Sequence, residues 1–580
     1  MKYVLKGKQG FGVMSTILEN RGITDLGLVL NPNHDNDTNP FDIVNMDIAI
    51  KTILEYLTSN ILVLVDSDVD GMTSGASMYK YLRAIKSGGD LDYYLHKEKK
   101  HGLTNEFMDF ISKSKHYDLI IIPDAGSNDI ENIKTLETRY NSRVIIIDHH
   151  EVDKFGDYGI ILNNQLSPLA NKNLTGAGMV YLVCKALETR VSSGIMGDIL
   201  NLVSIGQIGD SSNLIENEVR NMCFNSIRNI KNNFMRTVYT SENFKDLDLG
   251  SITLRNLSWG GVVPMINAVT RVGSIEDKTI VFQALADIRP DREFVVTKRK
   301  LNKEIRKYEM IDFTYNLYEY ALEVCENARK LQSKIVKNQL SKIECQYNPQ
   351  ANVQIFTLEN KDEIKGITGL IANKLAEKYS NPCIVCWLDE DDIYKGSLRG
   401  NEEVLPNFKE WCLQTGLFKM VQGHANAAGI EISLENMIKL TSSNLSLDKG
   451  EGIIYDVDYI FGSVNIEDAK EVCNYNMLWD NGVEKPLFAF ENIQIPTTSI
   501  RWSKNTLRIW INGVTIVIFK TPEEVFKELT EVPGYITINL VGTFEENLYN
   551  GNTYMQIKAT DYEVVSGSNK DEQIDFGMFF

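Results

Sequence analysis

The sequence predicts an α/β chain of several domains: an open parallel sheet covered by helices, a long helix, a second α/β unit and a β-barrel at the carboxyl end. Three observations predict it. Apolar strands such as ILVLV, LIIIP and RVIII alternate with helical patterns such as GASMYKYLRAI and GAGMVYLVCKAL, as in parallel sheets buried on both faces. A charged, periodic stretch then runs from Asp291 to Lys342 without glycine or proline. Near the carboxyl end, alternating runs are punctuated by the turn pairs Asn512-Gly513 and Asn550-Gly551, as in hairpins.

The 580 residues exceed what one core supports, roughly 250 to 300 residues. Residues 1–45 close on the polar, turn-forming segment NPNHDNDTNP and read as an N-terminal extension. The parallel-sheet domain spans 46–288 and the connecting helix 289–340. A second α/β unit, 341–448, holds the helix ITGLIANKLAEKYS, the strand PCIVCWL and the glycine-rich VQGHANAAGIEI. Residues 449–566 form the barrel, of the oligonucleotide-binding type, and 567–580 a tail.

Hydrophobic residues make up 43% of the chain and charged ones 24%, which excludes an extended disordered protein. The apolar runs fall far short of the ~20 residues needed to cross a bilayer, and MKYVLKGKQGFG lacks a signal-peptide core. These features predict a cytoplasmic protein without membrane contact. The eight cysteines are scattered, and the close pair Cys383 and Cys386 lies in a strand-like segment where cysteine acts as a small hydrophobe rather than a zinc ligand. The net charge of −18 argues against nucleic acid until its distribution is considered. From Arg289 to Lys342 there are 13 Lys or Arg against 8 Asp or Glu. That stretch, Arg299 included, fits either a phosphate-binding face or a solvated helix face. A smaller basic group is Lys97, Lys99, Lys100 and His101.

Function is carried by the ends of the apolar strands. ILVLVDSDVDG sets Asp66, Asp68 and Asp70 at spacing two, so that on an extended backbone they converge on one side before Gly71 allows a sharp turn into a helix. YDLIIIPDAGSND delivers Asp124, SRVIIIDHHEVD delivers Asp148, His149 and His150, and VSIGQIGDSSNL delivers Asp210. Ligands of open parallel sheets bind beyond the carboxyl ends of the strands, so Asp68, Asp70, Asp124, His149 and Asp210 are expected in one cleft. Carboxylates suit Mg²⁺ or Mn²⁺, and imidazole shifts the preference to Mn²⁺, with Mg²⁺ as substitute. Five or six such ligands are enough for two ions, which suits attack of water on a phosphoryl centre. DSDVDG also matches the start of a calcium loop, but the twelfth position from Asp66 is Ser77 rather than Glu. For Asp124 and Asp210 the ordinary alternative is a helix cap.

DSDVDG, PDAGSND, IIIDHHEVD and IGDSSNL resemble motifs one to four of the DHH phosphoesterases. HGLTNEF, GAGMVYLVCKAL and VPMINAVTRVG are similar to the RecJ single-strand DNA exonucleases of that family. KGITGLIANKLAEKYSNPCIV, GSLRG and GHANAAG resemble its DHHA1 domain, and NGVEKPLFAFENIQI with the barrel resembles its oligonucleotide-binding (OB-fold-like) domain. The resemblance implies metal ligation by Asp66, Asp68, Asp70, Asp124, His149 and Asp210. It implies catalytic roles for Asp148, His150 and Arg271. Asn267 and Arg271 would hold substrate phosphate from a loop, and Arg399, Gly423 and His424 would grip the nucleic-acid end. The sequence departs from the family pattern at Leu64, where other members have histidine, at Thr270 and at Gln422.

The implied activity is metal-dependent 5′→3′ exonuclease cleavage of single-stranded DNA to nucleoside 5′-phosphates, in repair or recombination. Trp502 and Trp510 are candidate stacking platforms. The resemblance also implies a monomer, with a single-strand-binding protein and a helicase as partners. Two other functions remain open from the sequence. One is a phosphodiesterase of short oligonucleotides or cyclic dinucleotides, and the other a non-catalytic DNA-binding replication factor.

Overall fold

The structure is a computed structural model that describes residues 1–580 except 36, 98–99, 246, 259, 303–306, 360–361, 402–403, 406, 443–453, 480–483, 532–533, 550–551 and 568–580. The described chain forms two compact units, one built on Gly27–Ile335 and the other on Met1–Leu26 with Val336–Trp479 and Glu484–Phe580.

The first unit is organised by five parallel strands in the spatial order Leu91–Leu95, Ile61–Val65, Leu119–Pro123, Arg143–Asp148, Ile160–Asn163. The expected apolar strands are all present. Alternation divides their side chains between two cores. Ile61, Val63 and Val65 pack against the helices Val69–Ile85, Gly176–Glu188 and Met196–Gly209, while Leu62, Leu64, Ile120, Ile122, Val144 and Ile146 pack against Phe107, Ile111, Ile133 and Leu136. Burial on both faces, about 1.5–3 kcal/mol for each large apolar side chain, explains why these strands read as continuous hydrophobic runs. From Ile61–Val65 the chain goes to one neighbour, Leu91–Leu95, and then crosses to the other, Leu119–Pro123. The sheet therefore has a topological switch point at its first strand.

The expectation of helix throughout 289–340 is corrected over its first half. Glu293–Asn302 and Lys307–Asn316 form an antiparallel ribbon, and the helix occupies Leu317–Ile343. Phe294, Val296, Lys298, Phe313 and Tyr315 point to one face, while Val295, Thr297 and Arg299 point to the other and are exposed. This is a period of two. It is hidden in the sequence because charged residues occupy both faces, and cation–π contacts of Arg292 with Phe294 and of Arg299 with Tyr308 hold cations on the ribbon.

The second unit contains a five-stranded sheet in the order Phe418–His424, Ala427–Ser433, Ile393–Arg399, Cys383–Leu388, Gln354–Leu358, with only the last pair parallel. Cys383 and Cys386 are buried in it as free thiols, as expected of small hydrophobes. The carboxyl-terminal part is β-rich, as expected. Its seven strands run in the order Tyr459–Phe461, Phe488–Pro496, Tyr535–Tyr549, Asn552–Gly567, Val514–Phe519, Thr506–Ile511, Ile500–Trp502. They pack around Phe461, Phe488, Phe490 and Phe544. Asn512 and Gly513 both have positive φ, 48° and 81°, which is the type I′ hairpin that this pair favours. The Asn550-Gly551 pair and residues 568–580 of the tail lie outside the described residues, and Gly567 still belongs to the last strand.

Residues 1–45 are not an extension. Lys2–Leu5 pairs in parallel with Ile454–Val457, and the Arg21 guanidinium holds the buried Asp458 carboxylate through Nε and Nη2 at 2.7 and 2.8 Å. Residues Gly27 onward belong to the first unit, where the buried Glu218 carboxylate accepts from Thr38 N–H and O–H.

Candidate metal centre

The strand Ile61–Val65 ends in a segment whose three aspartates diverge rather than line one side. Asp66 follows the strand directly, and Asp68 lies on extended backbone. Asp68 is the N-cap of helix Val69–Ile85, its Oδ1 accepting from Gly71 N–H at 3.0 Å, and Asp70 lies in the first turn. A Cβ at position 71 would sit 2.7 Å from the carbonyl carbon of Asp66, so only glycine allows this return of the chain.

Each aspartate has a different partner. Asp70 is buried and caps a second helix from a distant part of the chain. Its Oδ2 accepts from Gly176 N–H at 2.7 Å, and its Oδ1 accepts from Ala177 N–H and Thr175 O–H at 3.0 Å each. The N-terminal end of helix Gly176–Glu188 thus fixes a carboxylate in place. Asp66 turns instead to the loop after Leu91–Leu95. Its Oδ1 accepts from Gly102 N–H at 3.1 Å and its Oδ2 meets His101 Nδ1. Burial pushes the Asp66 carboxyl up, while His101 pulls it down.

Asp124 follows Leu119–Pro123 in the left-handed region, φ 67°, with its N–H donated to Ile147 O at 2.7 Å. Its Oδ1 is buried and accepts no hydrogen bond among the described residues. Burial, then the charges of Asp70, Asp68 and Asp66, raise this carboxyl well above its ordinary range. His149 Nε2 lies 3.3 Å from Asp124 Oδ1 and 3.8 Å from both Asp70 Oδ2 and Asp210 Oδ2. Burial lowers the His149 imidazole. Asp210 terminates helix Met196–Gly209, where the helix dipole disfavours a carboxylate. Burial and the charges of Asp70 and Asp68 push it up to about 7. A helix-cap role for Asp210 is thus electrostatically unfavourable, whereas a cation beside it would relieve the repulsion.

Asp148 stands apart from this group. Its Oδ1 accepts from His150 Nδ1, His149 N–H and His150 N–H at 2.7, 2.7 and 3.2 Å, and its Oδ2 accepts from Ser127 N–H at 3.0 Å. Burial opposes its ionisation, but His150 and the amides hold the carboxyl low. In return the hydrogen bond to Asp148 raises the half-exposed His150 imidazole to about 9. Asp148 thus holds the His150 ring and the backbone of both histidines.

Asn267 and Arg271 lie one turn apart on helix Val262–Val272, not in a loop as the resemblance implied. Burial lowers the Arg271 guanidinium, and the charge of Asp68 opposes that shift. Leu64 is a core residue of the first strand. In the second unit, Arg399 and His424 both pair with Ala427 on the strand between them, and Gly423 has φ 133°, with Ala427 O 2.7 Å from where a Cβ would lie.

Among the described residues, three side-chain sets have ligand atoms within 4.8 Å of one another: Asp124, His149 and His150; Asp70, His149 and Asp210; and Asp66, Asp68 and His101. Mixed oxygen and imidazole donors, together with a buried Asp124 oxygen that accepts no hydrogen bond among the described residues, fit a hard or borderline divalent cation. Residues 60–207 match the model of the DHH family, N-terminal domain. The chain is 31% identical, over 98% of its length and 100% of the relative's, to the putative SPbeta prophage-derived single-strand DNA-specific exonuclease YorK of Bacillus subtilis. The chain belongs to the DHH family. It is also 22% identical, over 90% of each chain, to the single-stranded-DNA-specific exonuclease RecJ of Haemophilus influenzae. The crystal structure of RecJ in complex with Mn²⁺ from Thermus thermophilus has the same fold, with a TM-score of 0.70 and 17% identity over 97% of this chain and 78% of that one.

Two features of this DHH protein lie in or beside segments that resemble the family, GAGMVYLVCKAL and HGLTNEF, but had no role assigned from sequence. Thr175, Gly176 and Ala177 hold Asp70 through backbone and hydroxyl groups that carry no chemical signature. His101 was submerged in a basic run whose charge, not its imidazole, drew notice.

Proposed function

We propose that this DHH protein is a metal-dependent exonuclease that degrades single-stranded DNA from its 5′ end and releases nucleoside 5′-phosphates. The observation that carries the reading is the convergence of Asp70, Asp124, His149 and Asp210 around one imidazole nitrogen at the carboxyl ends of the parallel strands, with a buried Asp124 oxygen that accepts no hydrogen bond among the described residues. Whole-length likeness to YorK supports the substrate, and the RecJ names of further relatives support it independently.

Asp68, Asp70, Asp124, His149 and Asp210 would hold Mn²⁺, or Mg²⁺ in its place, and Asp66 joins them in the motif. When bound, the metal supplies Lewis acidity toward the phosphoryl oxygens and lowers the pKa of the attacking water. The chain's own groups do the rest. Helix Gly176–Glu188 orients Asp70 through its first amides. Asp148 fixes His150 as an imidazolium at neutral pH, so a positive, hydrogen-bonding ring is available to the negative charge that grows on the phosphoryl oxygens. Arg271, on the side of Asp68, and Asn267 one turn before it are suited to hold a neighbouring phosphate. Arg399, Gly423 and His424 are assigned to the nucleic acid as well, together with the exposed Arg299 of the ribbon and Trp510 of the carboxyl-terminal sheet. The same proposal includes action as a monomer inside the cell, alongside a single-strand-binding protein and a helicase in repair or recombination. Among the described residues no helix is long and apolar enough to cross a membrane.

The test uses single-stranded DNA labelled at either end, with Mn²⁺, Mg²⁺ or chelator, against blunt duplex and a dinucleotide. Immediate mononucleotide release from the 5′ label, abolished by chelator, is the expected result. Cleavage confined to the dinucleotide would reassign the protein to short-oligonucleotide hydrolysis, and binding without cleavage in any metal would leave a DNA-binding scaffold.

A further inference from the structure

The cluster at the strand ends contains one set of donors that includes a residue from outside the four motifs. Asp66, Asp68 and His101 have ligand atoms within 4.8 Å of one another and share no residue with the other two sets, which both use His149. His101 arrives from outside the four motifs, on the loop after Leu91–Leu95.

That loop is fastened on both sides of the imidazole. Ser67 Oγ donates to Lys100 O at 2.6 Å, Gly102 N–H donates to Asp66 Oδ1 at 3.1 Å, and His96 Nε2 lies 3.1 Å from Gly102 O. Leu103 N–H donates to Asp129 Oδ2 at 2.7 Å, and the buried Lys278 donates to Lys97 O at 2.7 Å. Gly102 adopts φ 69° with Asp129 Oδ2 2.3 Å from where its Cβ would be, so glycine is needed for the chain to pass there. Two of these anchors come from Asp66 and Ser67 themselves, so the segment that supplies the aspartates also fixes the loop that supplies the histidine. The Asp66 side chain is buried, whereas the His101 side chain is half exposed.

We infer that Asp66, Asp68 and His101 form a second holding place for a divalent transition ion, one that shares Asp68 with the centre proposed above, with His101 as its imidazole ligand and Mn²⁺ favoured over Mg²⁺. The preference follows from the donor set, since imidazole adds little for Mg²⁺ and more for Mn²⁺. The inference rests on the metal-dependent reading above, and extends it by naming a histidine ligand from a loop outside the motifs.

The experiment is an electron paramagnetic resonance titration of the full chain with Mn²⁺ in the absence of DNA. Free Mn²⁺ gives the stoichiometry, and electron spin echo modulation reports ¹⁴N of coordinated imidazole. The native chain is expected to show ¹⁴N coupling from two histidines. His101→Ala should bind one ion fewer, or bind it at least tenfold more weakly, and lose one of the couplings, while competition by Mg²⁺ changes less than twofold. If His101→Ala loses its native circular dichroism, His101→Gln is judged by the same criteria. Unchanged stoichiometry, affinity and ¹⁴N modulation would overturn the inference while leaving the proposed function intact. A native chain that binds no Mn²⁺ would overturn both.

Discussion

Replacement of Asp70 by alanine should do two separable things, because the structure gives this carboxylate two tasks. As a proposed metal ligand its loss should abolish hydrolysis. As the cap of helix Gly176–Glu188, its loss leaves Gly176 N–H, Ala177 N–H and Thr175 O–H without their acceptor in a buried place. A buried donor stripped of its partner costs about 1–3 kcal/mol, and water entering the small gap offsets part of that. The net loss should therefore be on the order of 3 kcal/mol, or roughly 6–12 °C in Tm at about 2–4 °C per kcal/mol for a domain of this class. The control is Asp210→Ala, which removes a half-exposed carboxylate from a helix C-terminus and from the repulsion of Asp70 and Asp68. It should lose activity without losing stability. Both variants and the native chain would be melted in chelator and followed by calorimetry, so that no ion contributes. Asp70→Ala melting within about 2 °C of the native chain would refute the capping argument, and so would an Asp210→Ala variant destabilised as much.

In chelator, native stability should fall as pH rises from about 4 to about 7. The folded Asp210 carboxyl holds its proton up to about 7 while the unfolded one releases it near 3.8, so the folded state binds more protons in that window. Asp210→Asn should flatten the slope, as seen by urea unfolding across the range. Asp148→Asn should move the alkaline limb of the rate profile from about 9 toward the ordinary imidazole value of 6.5, because the hydrogen bond that keeps His150 charged is weakened. An unmoved limb would remove His150 from the chemistry. Gly206→Ala should cut activity at least tenfold with little change in DNA affinity, since its Cβ would lie 2.4 Å from Asp70 Oδ1 and 2.6 Å from Ala177 Cβ; steady-state rates with binding measured in chelator would separate the two. Arg299→Glu should weaken binding of single-stranded DNA and reduce its salt dependence, because one phosphate contact is lost, and fluorescence anisotropy at several salt concentrations would show it. Equal affinity and slope would leave the ribbon without a role in binding.

The parallel sheet was legible because strands buried on both faces read as unbroken apolar runs, and the acidic residues after them stand where such a sheet binds ligands. The ribbon at Glu293–Asn316 was not, since its alternation is spread over Lys298, Arg299 and Thr297 as well as Phe294 and Val296. The strand Lys2–Leu5 was invisible because its partner, Ile454–Val457, is remote in sequence and its four residues carry no pattern of their own. At the candidate centre the residue types were readable but their directions were not. Spacing two placed Asp66, Asp68 and Asp70 on one side, yet the helix begins at Val69, so Asp70 rotates toward Gly176 and Asp66 toward Gly102. A helix boundary of a single residue decides which carboxylate faces which neighbour, and sequence periodicity does not resolve boundaries that finely.

The two helix ends at the centre give its electrostatics a direction. Asp70 meets the N-terminal end of one helix, where amide dipoles stabilise a carboxylate by about 0.3–1 kcal/mol or more when partly buried, and Asp210 sits at the C-terminal end of another, where they oppose it. Burial and the neighbouring aspartates, Asp70 foremost, push Asp124 and Asp210 in the same unfavourable direction. Asp70 is thus held in place by the amides of a helix N-terminus, while Asp124 and Asp210 remain in positions where an added positive charge would favour their ionisation. A cation entering the centre would find Asp70 already in place and would draw the protons from Asp124 and Asp210 as it bound. Metal binding should accordingly release protons below about pH 7, and isothermal titration of Mn²⁺ in buffers of different ionisation enthalpy would measure the number. Release that falls as pH rises through about 7, where the Asp210 carboxyl gives up its proton unaided, is the expected result, whereas no release at pH 6 would mean that the carboxylates are ionised without the ion and that the fold itself balances their charge.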